Sequence, residues 1–123
     1  MAPLSSKLLA LCLFLCFAAA NAEDREWRKP LTGAFRVSGA SVVDPAQGEA
    51  RDTHLRLHLT GEAARALYGA MKVKAQRDQC RDDGSLTKFV KDMQCILSPN
   101  RKQYECWFAV DIPNQKISIA IVC

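Results

Sequence analysis

Two histidines four residues apart, in the stretch THLRLHL at 53–59, are the first residues here whose type and spacing point to chemistry. On a helix, His54 and His58 would stand one turn apart on one face, a spacing that suits two nitrogens on a zinc ion. The flanking residues argue otherwise. Leu55, Leu57 and Leu59 alternate with His54, Arg56 and His58, the period of a half-buried strand. On a strand the two imidazoles share a face but stand ~13 Å apart, too far to hold one ion at ~2 Å. Arg56 between them adds a repelling charge. The stretch therefore reads as a polar strand face, with no metal and no cofactor expected. A histidine beside an acid remains the basis of an alternative, a small secreted hydrolase using His54 or His58.

Thiols are the second reactive group. The chain opens with Lys7, the apolar run LLALCLFLCFAAA and Ala20-Asn21-Ala22, which fits a small-x-small cleavage site, so residues 1–22 read as a secretory signal peptide. Cys12 and Cys16 leave with it. Cys80, Cys95, Cys106 and Cys123 remain, and an even number in a short exported chain reads as two disulfides. None of the spacings is C-x-x-C, no serine lies in a G-x-S-x-G elbow, and Asp82-Asp83 beside Gly84 reads as a solvated loop. No catalytic residue is nominated.

Loss of Lys7, the only charged residue in the leader, takes the formal net charge from +4 to +3. That mild balance does not fit a nucleic-acid binder. No later segment approaches ~20 apolar residues, so no membrane span is expected and the mature chain is placed as secreted or periplasmic. Residues 23–33 read as an N-terminal arm, and 34–123 as a single domain.

The elements that must position these groups follow from periodicity. Residues 34–43 and 52–59 read as a hairpin across the turn material DPAQGE. A helix then starts at Thr60 as N-cap. Ala63, Ala66, Leu67, Ala70 and Met71 form an apolar stripe on it, running to about Val73. Three further strands are read from alternation: Phe89, Met93, Cys95, Leu97; then Tyr104 to Ile112; then Ile117, Ile119, Ile121. Lys91 is the misfit. A turn at Asn100-Arg101 sets Leu97 opposite Tyr104 and Cys95 opposite Cys106, and one at Asn114-Gln115 sets Ile112 opposite Ile117 and Cys106 opposite Cys123. Cys95 and Cys123 would then lie two strand spacings apart, ~9.6 Å, beyond disulfide reach. Two connectivities remain: Cys80–Cys95 with Cys106–Cys123, which is preferred, and Cys80–Cys123 with Cys95–Cys106. The fold expected is α+β, one helix packed on an antiparallel sheet in the order β-β-α-β-β-β, with a strongly curled or closed small β-barrel as the alternative.

One face of this sheet, bearing Val90, Ile96, Trp107, Ala109, Ala120 and Val122, is too apolar to be wholly solvated. It is expected either to be covered by the N-terminal hairpin or arm, or to bind a partner through Trp107, Ile96 and Val122. Lys88, Arg101 and Lys102 would add a basic rim favouring an acidic partner. The leading expectation is an exported, non-enzymatic binding module of inhibitor, immunity or adaptor type, whose partner is another exported or envelope protein. Besides the hydrolase, a structural subunit of an envelope assembly is the remaining alternative.

Overall fold

The computed structural model describes residues 28–121, so the stretch read as a signal peptide, most of the segment read as an arm and the Val122-Cys123 end lie outside the described residues. The elements run β1 (Thr32–Ser38), β2 (His54–Thr60), α1 (Gly61–Ala70), β3 (Gln76–Arg77), β4 (Leu86–Val90), β5 (Met93–Leu97), β6 (Tyr104–Asp111) and β7 (Lys116–Ser118). All pairings are antiparallel, in an open sheet ordered β1-β2-β6-β5-β4-β3, with β7 on β6. One helix on an antiparallel sheet is the architecture expected. The closed-barrel alternative is not what forms.

The β1–β2 hairpin forms, although β1 begins at Thr32, inside the segment assigned to the arm, and stops at Ser38. The third expected strand is really two. β4 and β5 are joined at Lys91-Asp92, with Val90 opposite Met93 and Lys91 at φ 51°. Lys91 breaks the alternation because it is a turn residue in the left-handed region, and Phe89 and Met93 face opposite sides across it.

The β5–β6 register is as read from the sequence, with Cys95 opposite Cys106 and Leu97 opposite Tyr104. The β6–β7 register is shifted by two, with Val110 rather than Ile112 opposite Ile117. Residues 112–115 are consumed by a four-residue turn instead of two. Asp111 stabilises that turn by accepting hydrogen bonds from the Asn114 backbone N–H (3.2 Å) and side-chain amide (2.9 Å). An even shift preserves the faces, which is why alternation alone could not detect it.

The expected row of Cys95, Cys106 and Cys123 across three successive strands is overturned. β5 pairs with residues 104–107 of β6 and β7 with residues 109–111, both on the edge opposite β2. Cys106 thus has Cys95 on one side and Leu59 on the other, and Cys95 and Cys106 are bonded to each other, with Cα atoms 4.0 Å apart. The preferred pairing of Cys80 with Cys95 is therefore excluded. The two cysteines are directly opposed in the β5–β6 register, and both sulfurs are fully buried.

The helix also turns its stripe by about one residue. Ala64, Tyr68 and Met71 are buried, whereas Ala66 and Ala70 are exposed. Alanines lie on both candidate faces, and the one that buries the Tyr68 ring removes more apolar surface from water. Ala64 sits directly over the disulfide, its carbonyl oxygen 3.4 Å from the Cys106 sulfur, an approach that a larger residue would block. Leu59, Leu97 and Tyr104 complete this core, with the Tyr68 and Tyr104 rings edge to face at 5.3 Å. Thr60 occupies the N-cap position without capping the helix through its side chain, and Gly61 begins the helix at φ 63°, where a Cβ would meet the Thr32 hydroxyl at 2.8 Å.

The loop before β4 is held by Asp78. Its carboxylate accepts hydrogen bonds from the Thr87 hydroxyl (2.6 Å) and the Arg81 backbone N–H (2.9 Å), with Asp78 only 3% exposed. Burial alone would raise its pKa, but these hydrogen bonds outweigh it and hold the group below the ordinary aspartate value. Asp111 is likewise lowered, chiefly by the Asn114 side chain. A depressed folded-state pKa means stability that is complete above the unfolded value of 3.8 and lost as pH falls through the lower folded value. Melting temperature measured against pH is expected to fall below about pH 4, and Asp78→Asn should lower it at neutral pH while flattening that acid limb. An acid limb identical in Asp78→Asn and wild type would refute the assignment.

Candidate functional site

β2 presents His54, Arg56 and His58 on the face away from α1, and the β2–β6 register gives each a different environment: His54 opposite Asp111, Arg56 opposite Ala109, His58 opposite Trp107. The strand reading of this stretch holds, and the two imidazoles serve separate clusters.

His54 is 7% exposed, with Nδ1 2.9 Å from the Thr53 hydroxyl and Nε2 3.7 Å from the Asp111 carboxylate. A hydroxyl, an imidazole and a carboxylate thus come together, though none of the three lines a described cleft. Arg56 is 6% exposed, its guanidinium accommodated because Ala109 opposite is small. Nε donates to the Ser38 hydroxyl, Nη1 to the Ile119 carbonyl, and Nη2 to the carbonyls of Gly39, Ala40 and Ser41, at 2.7–3.2 Å. Burial, then Arg36, push its pKa below the usual guanidinium value, while Glu49 opposes them. Arg56 thereby ties both the 39–41 loop and the C-terminal segment across this face.

His58 stacks on Trp107, ring centres 3.7 Å apart and planes within 10°, and its Nε2 lies 2.9 Å from a Glu105 carboxylate oxygen. The Trp107 indole N–H donates to that same oxygen at 3.2 Å, while Arg81 pairs with the other one. The carboxylate is therefore engaged at both oxygens. His58 forms a wall between two clefts. One, of about 570 Å³, is mainly apolar and runs past Trp107 toward Val42, Val43 and Ile121; the other, of about 680 Å³, lies between the start of α1 and the β5–β6 turn.

The residues expected to form one binding surface are dispersed. Trp107 borders the first cleft and Lys102 the second. Ile96 is 2% exposed, beneath the C-terminal segment. Lys88 lies on the helix side, its ammonium 4.3 Å over the Tyr68 ring and donating to the carbonyls of Tyr68 and Met71 at the helix C-terminus. Arg101 sits in the β5–β6 turn at φ 61°, donating to the Gly84 carbonyl at 2.9 Å. Val122 lies outside the described residues. Among the described residues, the Trp107 face is covered by loop 39–43, which belongs to the stretch read as the first hairpin strand, and by residues 119–121.

Apolar surface is exposed on the other side. A ten-residue helix is about 15 Å long and covers only one end of its face. Beyond its reach, Phe35 is 73% exposed, Val37 50% and Ile117 39%. Sequence reasoning marked residues 34–43 as a strand but had no means of seeing that Phe35 and Val37 would be left open, since that depends on where the helix ends. Glu105 and Arg65 also escaped notice: their importance rests on pairings 47 residues apart and on a cleft made by separate elements. Among the described residues, no group of three or more His, Cys, Asp or Glu is placed to hold a metal ion, and no helix is long and apolar enough to cross a membrane. Compared with protein-family models, curated proteins and solved structures, the chain matches none.

Proposed function

We propose that the chain is an exported binding module, acting without catalysis, that recognises an extended segment of another exported or envelope protein by adding it as a strand to β1. The observation carrying this reading is the β1 edge. β1 is a seven-residue strand at the end of the sheet order, with nothing on its outer side among the described residues. It lacks the devices that protect such edges: it has no proline, and its one charge, Arg36, is on the face opposite Phe35 and Val37. The other edge, β3, is only two residues long. An incoming strand would pair its backbone with β1 and lay alternate side chains beside Phe35 and Val37, where main-chain hydrogen bonds supply affinity and side-chain alternation supplies specificity.

Export is supported by the leader-like first 22 residues and by a buried disulfide, which suits an oxidising compartment. Cys95 and Cys106 are joined and Cys80 is itself a half-cystine; its pairing with Cys123, which lies outside the described residues, belongs to this proposal. A hydrolase is the competing reading, favoured by the 2.9 Å His58–Glu105 pair beside two clefts. Among the described residues, no serine, threonine or cysteine side chain is hydrogen-bonded to His58 as a nucleophile for it to activate.

The test immobilises the oxidised mature chain, as wild type and as Phe35→Lys, and passes the native exported fraction over both. Because Phe35 is largely exposed, the lysine leaves the core intact while placing a charge on the edge. A protein captured by the wild type is expected to be depleted at least about tenfold on the variant, and a synthetic peptide of its extended segment to bind in calorimetry. Identical capture by both would sink strand addition. A wild-type dimer in light scattering that Phe35→Lys dissolves would assign the edge to a second copy of the chain.

A further inference from the structure

The second cleft carries an inference independent of the β1 edge. It lies between the N-terminal turn of α1 and the β5–β6 turn, with Arg65 from the helix on one side and Lys102 from the turn on the other. Arg81 reaches it from the loop before β4, and there its charge is balanced by Glu105. Both Glu105 oxygens are engaged: one takes Arg81, the other takes His58 and the Trp107 N–H. Among the described residues, neither Arg65 nor Lys102 has an acidic partner within 4 Å. Two cations from different elements thus face one polar cleft, whose other charges are the paired Arg81 and Glu105 and the exposed Glu62 in the first turn of α1.

We infer that this cleft binds a carboxylate of an acidic peptide segment, held between Arg65 and Lys102. The guanidinium of Arg65 matches a carboxylate in a bidentate fork, and Lys102 adds a mobile point charge. The uncharged lining suits a peptide rather than a bare ion, because the Gln103 side chain and the Thr60 hydroxyl offer hydrogen bonds to a backbone and Tyr104 offers a ring against an aliphatic stem. At about 680 Å³ the cleft has room for several residues. Glu105, engaged at both oxygens, adds little ordering cost, whereas the exposed Arg65 and Lys102 side chains are ordered on binding.

The test titrates an acetylated, amidated hexaglutamate, its hexaglutamine counterpart and inorganic phosphate into the isotope-labelled mature chain at fixed ionic strength, followed by amide chemical shifts. Hexaglutamate is expected to move the amides of Gly61, Arg65, Lys102 and Gln103, and hexaglutamine to move none of them. Arg65→Gln with Lys102→Gln is expected to weaken hexaglutamate binding about tenfold or more, whereas Lys116→Gln, which removes an exposed charge elsewhere, leaves it unchanged. Equal weakening by Lys116→Gln would reduce the effect to net charge and overturn the site. Phosphate binding at the same amides as tightly as the peptide would overturn the peptide assignment in favour of a small oxyanion. Because Phe35→Lys leaves this cleft intact, failure here and failure of strand addition are separately visible.

Discussion

Replacing Arg56 by methionine is expected to remove about 3–5 kcal/mol of stability, a large part of what a domain this size possesses. The side chain is 6% exposed, and its guanidinium satisfies one hydroxyl and four carbonyls drawn from loop 39–41 and residue 119. Methionine fills much of the volume but leaves those carbonyls without a donor where water has little access. Arg56→Lys should recover only part of the loss, because an ammonium has three donors and no planar fork to span both segments. Thermal and urea denaturation check both variants. Protease cleavage within loop 39–43 should also accelerate in Arg56→Met, since that loop loses the group pinning it. A melting temperature for Arg56→Met within a few degrees of wild type would mean the carbonyls find other donors and that Arg56 does not organise this face.

Loss of the Cys95–Cys106 bond is the second large effect. The bridge closes a short loop and is expected to contribute about 2–4 kcal/mol, corresponding to a fall in melting temperature on the order of 15 °C for a domain of this size. The paired variant Cys95→Ala with Cys106→Ala isolates it from any other disulfide. Both sulfurs are fully buried beneath Ala64, so alkylation of the native oxidised protein at these positions should be negligible, and reduction should proceed only as fast as the helix lifts from the sheet. Trypsin, cutting after Lys91, Arg101, Lys102 and Lys116, should release residues 92–101 joined to 103–116 under non-reducing conditions. A peptide joining Cys80 to Cys95 would contradict the strand pairing itself. An unchanged melting temperature in the double alanine variant would show that helix and sheet hold together without the bridge.

What the chain's own pattern determined was local: a strand at His54–Thr60, a helix directly after it, and the register that sets Cys95 against Cys106. Each follows from a period of two or about 3.6 within a dozen residues, or from a short turn that leaves one pairing possible. The double role of β6 was beyond such reasoning. That strand takes β2 along one edge and divides the other between β5 and β7, a choice made by long-range pairing that no local period records. The same limit explains the helix face, where alanines leave two stripes nearly equivalent until Tyr68 has somewhere to be buried. It also explains the site. Arg56 looks in sequence like one more outward-facing charge, and becomes an internal tie only when residues 39–41 and 119 close over it. Phe35 looks like a core residue, and is left open because the helix is too short to reach it. Side-chain alternation reports which face a residue occupies, whereas burial depends on what arrives from elsewhere in the chain to cover that face.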